Sequence, residues 1–159
     1  MTESIHNDTP YEGLKLENQL CFPLYACSKE IIRQYKPFLD AIDLTYTQYI
    51  TMMVLWEEKE TSVKALGEKL YLDSGMLTPL LKKLEAKGFI TRHRLKEDER
   101  MLIVSITEAG EALREQAAGI PVSMGKCVDR TPDEAMQLYQ LLYSILGRLN
   151  AKDAGSETK

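Results

Sequence analysis

What most restricts the fold is a change of period past the middle of the chain. Residues 89–95 (FITRHRL) and 101–107 (MLIVSIT) are short and rich in β-branched and aromatic side chains, and charged KEDER separates them. That pattern is a two-stranded hairpin with a charged tip. Everything around it has helical spacing, so the sheet is small and the rest must pack as helices.

Before the hairpin, Leu16, Leu20, Leu24, Cys27, Ile31 and Tyr35 recur every three or four residues, which predicts one face of a long first helix. Pro37 is expected to end or bend it. A second helix is expected from Thr45 and Tyr46 through QYITMMVLWEEK, and a third in TSVKALGEKL with Thr61 or Ser62 as cap. After YLDSG comes MLTPLLKKLEAKG, closed by Gly88, where Pro79 fits best if the helix starts late.

Beyond the hairpin, Thr107 can cap a fifth helix in TEAGEALREQAA, with SMGKCVDR at its end. The final helix carries Ala135, Leu138, Leu142, Ile145 and Leu149, a heptad seam suited to the same helix of a second copy. The residues before 14 and those from Ala151 on are small and polar and are expected to be flexible.

The expected fold is mainly α with a small β-wing: a winged helix-turn-helix at 45–110, an N-terminal helix at 14–44 and C-terminal dimerisation helices at 111–150. Helix, helix, short turn, helix and hairpin is the order of that DNA-binding motif. Its reading helix would be Gly75 to Lys87. Charge agrees. Residues 82–100 hold seven basic against four acidic side chains, a local +3 in a chain whose formal total is −4. A basic patch on an acidic body suits a protein that meets phosphate on one face. Ser74, Thr78, Lys82 and Lys83 can reach bases or phosphates in a major groove. Arg92 and Arg94 belong to the same patch, and Arg100 at the tip can enter a minor groove, held there by Asp98.

At these residues the chain resembles the MarR family of dimeric winged-helix regulators. DERMLIVSITEAG (98–110) is similar to that family's wing, and LYLDSGMLTPLLKKLE (70–85) to its reading helix. KLENQLCFPLYACSKE, QYKPFLD and LTYTQY resemble the N-terminal helices of the OhrR branch, which senses organic hydroperoxides. The likeness spans residues 14 to 150.

Three cysteines remain to be placed. Cys21 and Cys27 differ on one helix by about 9 Å of rise and about 120° of direction, too far to pair. Cys27 is expected in the core. Pro23 favours a helix starting near Phe22, which puts Cys21 at the positive end, where thiolate is stabilised.

The resemblance implies that Cys21 is a peroxide-sensing cysteine. It implies that Tyr35 and Tyr46, with Tyr25 nearby, support the thiolate in a pocket shared across the dimer, and that Cys127 of the other subunit resolves the oxidised Cys21. A small cellular thiol is the other candidate resolver. The expected partners are operator DNA, a second copy and an organic hydroperoxide inducer, with no cofactor, no metal and no membrane. The expected setting is the cytoplasm. Two competing functions stay open: induction by a non-covalent aromatic ligand, and a thiol peroxidase, which would leave the basic wing unexplained.

Overall fold

The computed structural model describes residues 10–156. The chain divides into two compact units, one ending at Ile120 and the other beginning at Pro121. Residues 1–9 of the expected flexible start lie outside the described residues.

The first unit holds α1 (Cys21–Asp40), α2 (Tyr46–Glu58), β1 (Glu60–Ser62), α3 (Val63–Leu70), α4 (Ser74–Ala86), β2 (Ile90–Arg94), β3 (Leu102–Ile106) and α5 (Glu108–Ala117). α2 lies at its centre, in contact with α1, α3, α4 and α5. Its start is set by a capping box. The Thr45 hydroxyl accepts from the Gln48 backbone N–H and the Gln48 side chain accepts from the Thr45 N–H at 3.0 Å. Met52 and Leu55 of α2, Leu66 of α3, Leu77, Leu81 and Leu84 of α4, Ile90 of β2 and Val104 of β3 are fully buried and form the core.

The strands form an antiparallel sheet in the order β1-β3-β2. The hairpin is as expected, but β1 is a third strand, pairing Thr61 with Val104. Three residues, Glu-Thr-Ser, are too few to show a strand period.

Several boundaries differ from expectation. Helix α1 begins at Cys21, so Leu16 and Leu20 are not on it; 3-10 turns at Glu12–Leu14 and Leu16–Asn18 precede it. The Asn18 and Gln19 side-chain amides donate to the Glu12 and Gly13 carbonyls at 2.9 and 2.5 Å, which holds these turns locally. Pro37 does not end α1, which runs on to Asp40. So near the C-terminal end, the missing N–H removes one helical bond. Nor does α4 start late: Asp73 caps it, accepting from the Met76 N–H at 2.9 Å, and Pro79 sits inside. The fifth helix is broken around Ala118 and Gly119 into α5 and α6.

The second unit contains α6 (Ile120–Val128) beyond its first residue, and α7 (Pro132–Ser156). Helix α7 starts on a Thr131–Glu134 capping box. It continues six residues into the segment expected to be flexible, whose last three residues lie outside the described ones.

Candidate nucleic-acid interface and thiol site

The reading helix is built from its caps. Ser62 caps α3 by accepting from the Ala65 N–H at 3.1 Å, and Asp73 caps α4. The turn between them needs Gly67. A methyl group there would lie 2.7 Å from the Leu72 carbonyl oxygen and 2.9 Å from Leu77 Cδ1. With Leu77, Leu80, Leu81 and Leu84 facing the core, Ser74, Thr78 and Lys82 form a separate row at spacing four, flanking the leucine face and exposed, with exposed Lys83 beside them. Thr78 Oγ1 donates to the Ser74 carbonyl at 2.8 Å, so its hydroxyl starts from a bond within the helix.

The wing root is fixed by glycine and tryptophan. Trp56 Nε1 donates to the Gly110 carbonyl at 2.8 Å, and any side chain at Gly110 would collide with the Phe89 carbonyl oxygen. Thr107, the cap of α5, also donates through Oγ1 to the Gly88 carbonyl at 2.6 Å. The segment Ile106-Thr107-x-x-Gly110 is therefore a joint between β3, α5 and the end of α4.

At the wing tip one expectation is corrected. Asp98 does not hold the Arg100 guanidinium; its Oδ1 accepts from the Arg100 backbone N–H at 3.0 Å. A carboxylate two residues before an N–H closes an Asx turn, which shapes the tip instead of pinning its arginine. The Arg100 side chain is exposed and makes no ion pair among the described residues. Arg94 Nη1 donates to the Glu99 carbonyl at 2.5 Å across the loop.

Two other cations of the patch are engaged inside the domain. Lys87 pairs with Asp43 at 3.0 Å, tying the end of α4 to the α1–α2 loop. Arg92 pairs with Glu85 at 2.5 Å, and the contact holds the Glu85 carboxyl below the usual carboxylate range. Sequence reading counted Glu85 only as an opposing charge. The usable signal was its place seven residues before Arg92, across a three-residue turn.

Cys21 is the first residue of the 20-residue α1, with its thiol exposed at the positive end of the helix dipole. Cys27, expected in the core, is exposed as well, because α1 buries only Leu39 in this chain. Cys127 is exposed near the end of α6.

The tyrosines fall into two groups. Tyr25 is exposed, with Lys29 Nζ 5.2 Å from its ring centre. Tyr35 and Tyr46 stack at 5.0 Å, and Tyr49, which sequence reading missed, stands 5.9 Å from Tyr35. Burial raises all three phenols above their usual pKa, with neighbouring phenols adding to the rise at Tyr35 and Tyr49, so all three remain donors at neutral pH. Cys21 and Tyr35 are on one helix, fourteen residues apart, so a rise of about 21 Å separates them. Within a single chain the thiol and the tyrosine pair are not one site.

Reading helix, wing and supporting α2 define a winged-helix DNA-binding protein. The profile of the SarA/Rot transcriptional regulators matches residues 33–116. The chain is 46% identical to the organic hydroperoxide resistance transcriptional regulator of Bacillus subtilis (strain 168), over 92% of this chain and 99% of that one. It is 48% identical to the regulator SarZ of Staphylococcus aureus (strain USA300), over 86% of this chain and 93% of the relative.

Among solved structures, reduced AbfR bound to DNA matches with a TM-score of 0.72 and 33% identity, over 89% of this chain and 99% of AbfR. Disulfide-formed AbfR matches with a TM-score of 0.59 at the same identity, over 89% of this chain and 97% of that one. The chain belongs to the SarA/Rot family of MarR-like winged-helix transcriptional regulators. Among the described residues, no helix is long and apolar enough to cross a membrane.

Proposed function

We propose that the protein is a dimeric repressor that holds a pseudo-palindromic operator while Cys21 is reduced and releases it when an organic hydroperoxide oxidises Cys21. The observation that carries this reading is the placement of Cys21: an exposed thiol at the first residue of a long helix, open to a hydroperoxide from solvent. The named role of the Bacillus subtilis relative, and the reduced, DNA-bound and disulfide forms of AbfR, support it.

The chemistry has two steps. Thiolate attacks the O–O bond and keeps one oxygen as sulfenic acid, while the other leaves as an alcohol after taking a proton. The thiol of Cys127 from a second subunit then attacks the sulfenic sulfur, forming a disulfide and expelling water. The phenols of Tyr35 and Tyr46 serve the Cys21 of the partner subunit, since about 21 Å of helix separates Cys21 from Tyr35 of its own chain. As protonated donors they favour thiolate over thiol. A dimer also covers the apolar side chains that α1 exposes, among them Phe22, Leu24, Ile31 and Ile32.

On the DNA, Ser74, Thr78, Lys82 and Lys83 enter a major groove, and Arg94 and Arg100 reach the adjoining backbone and minor groove. The test is a non-reducing gel after one equivalent of an organic hydroperoxide, run beside a gel shift. A dimer-sized band that needs both Cys21 and Cys127 is expected, together with loss of the shifted DNA. A monomer band with DNA still lost through Cys21 would move resolution to a small thiol. Unchanged loss of DNA in Cys21→Ser would refute the sensor.

A further inference from the structure

Glu85 and Arg92 join the reading helix to the wing through three hydrogen bonds on one carboxylate. Glu85 Oε1 accepts from the Arg92 backbone N–H at 3.0 Å, and Oε2 accepts from Arg92 Nε at 3.1 Å and Nη2 at 2.5 Å. Arg92 is the middle residue of β2, an edge strand, so its backbone N–H has no partner strand and the carboxylate satisfies it. On β2, alternation places Arg92 on the same face as buried Ile90, and its side chain is only 19% exposed. Lys82 and Lys83 on α4 are exposed and make no ion pair among the described residues.

Only Lys87, Gly88 and Phe89 separate α4 from β2, and Gly88 adopts φ 78°, a conformation that favours glycine. Backbone bonds close that turn, from the Gly88 N–H to the Glu85 carbonyl at 2.9 Å and from the Phe89 N–H to the Leu84 carbonyl at 3.1 Å. The Glu85–Arg92 contact adds a side-chain brace across the same turn, from the last turn of α4 to the centre of β2, the strand that carries Arg94 toward the wing tip.

We infer that Glu85 and Arg92 are positioning residues for DNA recognition: their contact aims the wing relative to the reading helix, and Arg92 is not itself a phosphate contact. The inference rests on the DNA-binding reading above. It makes an unusual demand on sign. Glu85 is an anion on the basic face, so by charge alone its removal strengthens DNA binding. If the pair aims the wing, its removal weakens binding.

The test uses full-length reduced protein and a short duplex selected from a randomised pool by the wild type, with a scrambled duplex as non-specific control. Affinities are measured across salt concentrations for wild type, Glu85→Gln, Arg92→Lys and Arg92→Gln, with circular dichroism on each. The expected result is specific binding weaker by about tenfold in Glu85→Gln, given a partly exposed charged pair. Non-specific binding and the salt slope should stay at wild-type values. Arg92→Lys should fall between wild type and Arg92→Gln, since lysine keeps the charge but not the fork.

The opposite pattern overturns the inference. If Glu85→Gln binds as tightly as wild type or tighter, and Arg92→Gln loses about one unit of salt slope, Arg92 touches phosphate directly. Loss of the folded signal in both Glu85→Gln and Arg92→Lys overturns it too, because the pair would then hold the domain together and not aim it. Failure of the wild type to select any duplex is a separate outcome: it removes the DNA-binding reading, and this inference with it.

Discussion

Helices α1 and α2 are neighbours in the chain and opposites in packing. Of the 20 residues of α1, Leu39 alone is buried, whereas the 13 residues of α2 bury seven, from Gln48 to Trp56. Yet α1 carries Phe22, Leu24, Ile31 and Ile32. One helix is finished within a single chain and the other is not. The winged-helix part buries its apolar residues within the chain, while α1, which holds Cys21, presents apolar surface of the kind that needs covering. In the proposed repressor this division is functional: binding belongs to the finished region and sensing to the unfinished one.

The largest effect should come from separating those two tasks. Cys21→Ser should abolish the hydroperoxide response and leave operator affinity of the reduced protein within twofold, or about 0.4 kcal/mol, of wild type. A gel shift with and without hydroperoxide measures both. If Cys21→Ser weakens binding in the reduced state as strongly as oxidation does, the two regions are not separable in this way.

Next in size is a pair of truncations. Leu84→Ala, in the core of the reading domain, should cost about 2–5 kcal/mol of unfolding free energy, because it leaves a cavity where a fully buried side chain stood. Leu24→Ala, on the exposed side of α1, should leave far-ultraviolet circular dichroism unchanged and shift the monomer–dimer balance toward monomer in sedimentation. A concentration-independent melting temperature in wild type would remove the second half of this expectation.

How much of this was legible in the residues depends on how local each signal was. The hairpin, the start of α2 near Thr45, the capping of α3 by one of Thr61 and Ser62, the capping of α5 by Thr107 and the turn at Gly88 are set by neighbours within a few positions, and all were readable. β1 was not, because a three-residue strand exists only through β3, more than forty residues away. The burial of Cys27 was misread for a related reason. Helical spacing reports that a face is apolar, not whether this chain or another covers it. Asp98 shows the same limit at smaller scale: proximity to Arg100 suggested an ion pair, and the backbone N–H took the carboxylate instead.

A smaller effect tests whether α2 depends on its own end. Thr45→Ala removes the acceptor for the Gln48 N–H and should cost about 1 kcal/mol, read as a shift in the urea midpoint without a change in slope. The finished region should absorb that loss without unfolding at room temperature. A loss several times larger would mean that the capping box also orders the loop from Ala41 to Leu44, where Asp43 accepts from Lys87.

The smallest effect lies where the two helices meet. Tyr35 of α1 stacks against Tyr46 and Tyr49 of α2, and burial raises the pKa of all three above the ordinary phenol range. The folded state therefore holds these protons more tightly than the unfolded chain. Their contribution to stability is complete below the ordinary phenol pKa of about 10 and is lost as pH rises through the raised values. At neutral pH, Tyr46→Phe should accordingly show no change in the titration of the other groups. In strong alkali it should, because the Tyr46 phenolate disfavours ionisation of both Tyr35 and Tyr49. Phenolate absorbance should resolve a late-titrating subset among the eight tyrosines of the wild type. In Tyr46→Phe that subset should shrink and begin to ionise at lower pH, as Tyr35 and Tyr49 move back toward ordinary behaviour. If all tyrosines of the wild type titrate together near the ordinary value, the cluster is open to water, and phenols so solvated would be poor donors to a thiolate brought by a second subunit.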